Sequence, residues 1–402
     1  MVADFLRDAR ADREWIVTTR RDIHRHPELG FDLERTAALV ERELQRLGIE
    51  TRRAAVTGVV GRLRGDRPGP VVALRADMDG LELDDRKAVP YASAFPGRMH
   101  ACGHDAHTAM LLGAARLLAR RRHLLAGEVR FLFQPAEEGD GGALPMIGEG
   151  ALTDPDVDAV FGLHVAPEFA PGTIGLSRGK LHAASDLFDL VLSGRTSHGA
   201  KPHLGIDALA VGAQVLSALQ QIVSRQTDPL DPIVVTVGTF HGGTRRNIIA
   251  GRAEMTGIIR TVDAARRVWA RQKVREVAEG VASALGARAE LRFTEGYPCL
   301  VNDGELARYV ETVASDLLGD GAVRIMEKPT MGVDDFAYFV ENRPGVLVML
   351  GTGDGEKETC HPLHSDLFDI DEAALPMGAA LLARIAADFA GRRPASEVRE
   401  KP

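Results

Sequence analysis

The chain has 402 residues, 45% of them hydrophobic and 26% charged, with a formal net charge of -8. That composition is ordinary for a soluble globular protein, and the length exceeds what one simple core holds, so two domains are expected. The acidic balance argues against nucleic-acid or membrane partners, which select basic patches, and no uncharged apolar run is long enough to span a bilayer. The first residues, "MVADFLRDARADREW", lack the apolar segment of a secretory signal. The three cysteines, Cys102, Cys299 and Cys360, are too sparse for a disulfide framework. Both features fit a cytoplasmic protein.

In chain order, the apolar spacing predicts helices over about Ala3–His26 and Leu33–Leu47. A buried strand follows in "VVALRADMDG" (Val71–Gly80), then a helix over 108–121, "TAMLLGAARLLARR", closed by the basic run Arg120–Arg122. Further strands are "EVRFLFQ" (Glu128–Gln134), "AVFGLHV" (Ala159–Val165) and "GVLVMLG" (Gly345–Gly351). The helix "EAALPMGAALLARIAADFA" (Glu372–Ala390) closes the pattern. Near-continuous apolar strands alternating with helices indicate an α/β domain, a mixed sheet flanked by helices. The middle reads differently: "FDLVLSG", a helix from Asp207, "PIVVTVGTF", "AEMTGIIRTV", a helix from Ala264, then "RAELRFTEG". This is the β-α-β-β-α-β order of a ferredoxin-like unit. The expected organisation is therefore a catalytic domain over 1–184 and 296–391, an inserted domain over 185–295, and a polar tail over 392–402. The glycines near 179 and 296 are candidate hinges.

Ligands of open α/β sheets bind beyond the carboxyl ends of the strands. Reactive residues gather at such ends: Asp77 and Asp79, Glu137 and Glu138, His164, and His361 and His364. The stretch "MHACGHDAHT" (Met99–Thr108) leads into a helix there. Each has a bland alternative. An arbitrary Glu-Glu pair is usually a solvated loop, a strand-end histidine is often scaffold, and a lone cysteine is usually inert core. His24, His26, His123 and His241 are assigned to scaffold, and His100, His107 and His361 to supporting or structural roles. Together, however, Cys102, His104, Glu138, His164 and His364 make a mixed thiolate, imidazole and carboxylate set. It suits zinc, manganese, cobalt or nickel rather than calcium or magnesium. Five donors exceed the three of a single catalytic zinc and point to two divalent ions about 3.5–4 Å apart.

The motifs "LRADMDGLEL", "MHACGHDAHTAMLLGAA", "LFQPAEEGDGGA", "GLHV", "SHGAKPHLGIDAL", "NIIAGRAEMTGIIRT", "MGVDDFAYF" and "HPLHSDLFDIDE" occur in this order. In that order and spacing the chain resembles the metal-dependent amidohydrolases that include hippurate hydrolase, N-acyl-L-amino-acid amidohydrolase and the indole-acetyl-amino-acid hydrolases. More distantly it resembles the aminoacylase and carboxypeptidase G superfamily. The resemblance runs from near residue 21 to near 383. It implies metal ligands at Cys102, His104, Glu138, His164 and His364, with the thiolate bridging, and Glu137 as general base. Where the wider superfamily has His-x-Asp this chain has Asp77-Met78-Asp79, so Asp79 keeps an orienting role and His104 compensates. His198 resembles an oxyanion-stabilising histidine, in relatives often supplied by the partner subunit. Asn247 and Arg260 resemble binders of the substrate carboxylate or carbonyl.

Three departures bear on substrate preference: Asp334 where glutamate is usual, "NIIAG" without the usual proline and aspartate, and Asp366 in "HPLHSD". The resemblance implies hydrolysis of N-acyl amino acids, with the inserted domain serving as a lid and as the contact of a homodimer or homotetramer. Three rivals stand beside this reading: a dipeptidase or aminopeptidase on the same metal site, a non-catalytic metal-binding homologue, and a cysteine hydrolase using Cys102 as nucleophile.

Overall fold

The computed structural model describes residues 4–391. Contacts divide the chain into two units. The first runs to Gly179 and resumes over Val301–Glu327 and from Tyr338; the second comprises Lys180–Leu300 and Lys328–Ala337. The main strands are β1 (Glu50–Ala54), β2 (Gly58–Arg64), β3 (Arg67–Asp77), β4 (Ala126–Gln134), β5 (Ala159–Ala166) and β6 (Ile174–Leu176). They continue with β7 (Ala184–Ser193), β8 (Ile233–Gly242), β9 (Arg252–Thr261), β10 (Arg288–Glu295), β11 (Val323–Ile325) and β12 (Gly345–Gly351). The longer helices are α1 (Phe5–Ala11), α2 (Arg13–Arg25), α3 (Glu34–Arg46), α4 (His104–Ala119), α5 (Ala208–Gln226), α6 (Ala264–Ala284), α7 (Gly304–Leu318) and α8 (Leu375–Phe389).

The first unit is an eight-stranded mixed sheet in the order β1-β2-β4-β3-β5-β12-β6-β11. Its centre, β4-β3-β5-β12, is parallel; β1 and β2 pair antiparallel to their neighbours, and β6 pairs antiparallel to β12 but parallel to β11. Every residue of β5 and of β12 is buried, as central parallel strands covered on both faces require. Helix α4 is buried almost all round and packs on α2 and α8. The α/β reading of the apolar runs thus matches this sheet.

Two local expectations need correction. The opening helix is divided at Asp12, the cap position that ends α1 and begins α2, where φ -86° and ψ 4° leave the helical range; aspartate favours such helix ends over helix interiors, and its carboxylate meets Arg120 at 2.8 Å. Helix α4 begins at His104 rather than near Thr108, because Gly103 takes φ 84° and ends the preceding loop. Strands β1, β2, β6 and β11 and helix α7 lie outside the elements that the sequence predicts.

The second unit is an antiparallel sheet in the order β8-β9-β7-β10. With α5 after β7 and α6 after β9, the chain order is β-α-β-β-α-β, and the ferredoxin-like reading matches. Asp207 and Asp263 cap the two helices by accepting from the backbone N–H groups of Leu209 and Ala265 at 3.0 and 2.9 Å. One core joins Phe188, Leu190 and Leu192 of β7 to Val215 and Leu219 of α5 and Val274 and Ala278 of α6. This unit is wider than 185–295. Residues 328–337 join it because Thr330 N donates to Leu181 O and Ala183 N to Gly332 O, each at 2.9 Å. The tail over 392–402 lies outside the described residues. Among the described residues no helix is long and apolar enough to cross a membrane.

Candidate metal centre

Because β4, β3 and β5 run parallel, their carboxyl ends lie side by side, Asp77 being paired in register with Gln134. The chain leaving β3 carries Asp79, the chain leaving β4 carries Glu137 and Glu138, and His164 stands near the end of β5. The loop before α4 carries Cys102, and the first residue of α4 is His104. His364 reaches the same place through a backbone bond, its N–H donating to Ala101 O at 2.8 Å. Two non-glycine residues here hold positive φ, Ala136 at 55° and His364 at 64°. Such local strain persists only where the surroundings over-determine it.

The five donors read from the sequence meet. Within each of the trios Cys102–His104–His164, Cys102–Glu138–His364 and His104–Glu137–Glu138, the ligand atoms lie within 4.8 Å of one another. Cys102 Sγ is 3.5 Å from His164 Nε2, and His364 Nε2 is 3.4 Å from Glu138 Oε1. His104 Nε2 faces Glu138 at 3.7 Å and Glu137 at 3.9 Å. Asp79 holds the arrangement from behind: it faces His104 Nδ1 at 3.3 Å and accepts from the backbone N–H of Glu137 at 3.1 Å and of Glu138 at 3.0 Å. The Nδ1–H of His164 donates to Val165 O at 2.8 Å, which turns Nε2 toward the cluster.

A further trio, Asp77–His104–His107, also satisfies ligand spacing, but its members are otherwise engaged. His107 Nδ1 donates to Asp77 Oδ1 at 2.5 Å, while its Nε2 accepts from Val165 N–H at 2.9 Å. Asp77 in turn meets Arg75 at 2.6 Å. His107 thus joins α4 to β3 and β5, with its ring 4.6 Å from that of His164. His24 sits on Asp105 at 2.8 Å and is buried scaffold.

The site is charge-dense, with Cys102, His104, Glu137 and His164 buried and His364 exposed at its edge. Burial pushes the Cys102 thiol well up, and Glu138 adds to the effect. Burial would depress the His104 imidazolium, but Asp77 and Asp79 override it and hold that pKa well above the ordinary value. Burial would likewise raise Glu138, yet His364 and His104 hold its carboxyl low. His104 Nε2 and Glu138 Oε1 are buried and make no well-formed hydrogen bond. Buried polar atoms cost free energy unless partnered. Two such orphaned lone-pair donors, beside a thiol and two further imidazoles, fit a borderline divalent cation.

The other three candidate residues lie in the second unit. His198 is exposed on a two-residue strand, Ser197–His198, paired with Ile248–Ile249. Asn247 immediately precedes that partner and its carbonyl accepts from Gly199 N–H at 2.8 Å, so His198 and Asn247 are neighbours. Arg260, half-buried on β9, donates from Nη1 to Met331 O at 3.2 Å and leaves Nε buried without a hydrogen bond. The sequence reading did not find a role for Arg20 or Asp105, which lie in the buried charge network behind α4; no local pattern marks them.

Residues 73–388 match the profile of peptidase family M20/M25/M40. The chain is 38% identical to thermostable carboxypeptidase 2 of Saccharolobus solfataricus, covering 98% of this chain and 100% of that one. It is 39% identical to N-acetyl-L-cysteine deacetylase of Bacillus subtilis, over 90% of this chain and 84% of the relative. Among solved structures, a dinuclear metal binding peptidase of the M20 family from Bacillus subtilis superposes with a TM-score of 0.83 at 35% identity, covering 95% of this chain and 99% of that one. The matching order of motifs and the fold have one reading: this chain belongs to peptidase family M20/M25/M40.

Proposed function

We propose that the chain hydrolyses the amide bond of N-acyl amino acids, giving a carboxylic acid and a free amino acid. The observation that carries this reading is the convergence of Cys102, His104, Glu138, His164 and His364 around Glu137. The five donors would hold two divalent ions, zinc, manganese, cobalt or nickel. Bound there, the pair would acidify a water molecule and polarise the scissile carbonyl. Glu137, largely buried at 7% exposure, takes the proton of the water that adds to the acyl carbon and returns it to the departing nitrogen. Asp79 keeps Glu137 and Glu138 in place through their backbone N–H groups. His198 is assigned to the oxyanion, and Asn247 with Arg260 to the substrate carboxylate, for which a guanidinium is the best-matched donor. Hydrolysis of small-molecule amides at such a centre involves no nucleic acid and no membrane.

The similar deacetylase is named for an N-acetyl amino acid and the similar carboxypeptidase for peptide cleavage. A second reading follows from the latter: the acyl group is a peptide, and the shared feature is an amide nitrogen belonging to an amino acid with a free carboxylate. A panel of N-acetyl, N-benzoyl and unblocked dipeptide substrates, run beside metal analysis of the purified protein, separates the two. Glu137→Gln is expected to abolish turnover with metal content retained, whereas Cys102→Ala loses metal; normal turnover by the Glu137 variant sinks the scheme. Mixing His198→Ala with Glu137→Gln protein, and asking whether activity reappears, tests whether His198 serves a partner subunit in a dimer or tetramer.

A further inference from the structure

Arg20 lies on α2, far in sequence from every proposed ligand, and has no exposed surface. Its guanidinium faces three carboxylates. Nε donates to Asp105 at 2.6 Å, Nη2 to Asp369 at 2.8 Å and Nη1 to Glu372 at 3.2 Å. Asp105 directly follows His104 in the first turn of α4. Asp369 and Glu372 follow His364 on the segment that runs into α8. One buried cation is thus clamped at the same time to both segments that bring Cys102, His104 and His364 to the centre.

The clamp is itself fixed. His24 Nδ1 sits on Asp105 at 2.8 Å, Tyr91 donates its hydroxyl to Asp369 at 2.7 Å, and Arg21 pairs with Glu372 at 2.6 Å. Such buried ion clusters are poor devices for stability alone, since apolar packing of equal volume does as well or better. Their geometry is demanding, however, and a planar guanidinium with donors on three sides imposes one mutual placement on the groups it binds.

We propose that Arg20 is a positioning residue for the metal centre, holding the 102–105 turn and the 364–372 segment in the one arrangement that lets their ligands converge. This rests on the ligand assignment made above. The test uses the full chain in four forms: the parent, Arg20→Lys, Asp369→Asn, and Cys102→Ser as the ligand control. Zinc affinity is measured by competition with a chromophoric chelator, the visible absorption of the cobalt-loaded protein is recorded, and the urea midpoint is followed separately. A lysine ammonium cannot span three carboxylates, so Arg20→Lys should weaken zinc binding by about 10–100-fold, the usual effect of losing support behind a ligand, and change the cobalt spectrum. Asp369→Asn keeps the Arg20 bonds to Asp105 and Glu372, is the milder change, and should weaken zinc binding by more than about twofold though less than Arg20→Lys does. If Arg20→Lys fails to fold, Asp369→Asn decides alone. Affinities within about twofold of the parent with an unchanged cobalt spectrum, even beside a lowered urea midpoint, overturn the proposal and leave Arg20 a core stabiliser. Parent-like zinc affinity in Cys102→Ser would instead overturn the ligand assignment itself, a distinguishable failure.

Discussion

Gly103 separates two effects that usually travel together. Its backbone is left-handed, φ 84° and ψ 16°, and a Cβ placed there would lie 2.3 Å from Val165 Cγ2 and 3.6 Å from Phe368 Cζ. Gly97 is also left-handed, φ 73°, but a Cβ there meets nothing within 4 Å. Gly97→Ala should therefore cost only the backbone term, about 1–2 kcal/mol. Gly103→Ala adds the overlap with Val165, about 1–3 kcal/mol for overpacking, so that the total is about 2–5 kcal/mol. Val165 neighbours His164 and donates its N–H to His107. Relief of the overlap must move that strand end, so Gly103→Ala should also weaken metal binding while Gly97→Ala leaves it intact. The chain has two tryptophans, Trp15 in the first unit and Trp269 in the second. In a Trp269→Phe background, Trp15 fluorescence in urea reports the first unit. Equal midpoint shifts for the two alanine variants would show that Gly103 is required only for its backbone conformation, and the packing argument would fail.

Phe188, 1% exposed at the centre of the second unit's core, should cost about 3–5 kcal/mol when replaced by alanine. Trp269 fluorescence in a Trp15→Phe background measures it, and a loss below about 1 kcal/mol would mean that the core collapses around the gap. A chelator should abolish amide hydrolysis and added zinc or manganese should restore it; activity that survives metal removal would favour Cys102 acting as a nucleophile. Acid should destabilise the first unit. Burial pushes Glu128 up, but Arg62 and Arg130 hold its carboxyl below the usual range, and Arg20 with Tyr91 does the same for Asp369. A carboxyl with a depressed folded pKa contributes stability above its unfolded value of about 4 and loses it as pH falls through the folded value. The urea midpoint should drop across that acid range, and Glu128→Gln should flatten part of the slope; an unchanged slope would remove Glu128 from the account.

What the sequence shows of the centre, and what it hides, follows from how each residue is recognised. Glu137, Glu138 and His164 are legible because an apolar strand run names its own end, and the carboxyl ends of parallel strands are where such sheets place chemistry. Cys102 and His104 are legible by residue type, although Gly103 between them reads as a loop residue and conceals that α4 starts at His104. Strand β1, "ETRRA", sits at the sheet edge with only Ala54 fully buried, so it carries no apolar run to find. Arg20 is hidden for a different reason. Its partners Asp105 and Asp369 lie 85 and 349 residues away, and in "TTRRDIHRHP" it is one of three arginines within six positions. Periodicity on α2 can say that position 20 faces inward with Ile16 and Ile23, but an inward arginine is intelligible only once its carboxylates are placed. The proposed ligands are legible by residue type and, for Glu138 and His164, by their place at strand ends; Arg20, proposed to align them, is defined wholly by tertiary contacts. It is therefore at positions such as Arg20 that substitutions between otherwise well-matched relatives should alter metal affinity without touching a ligand.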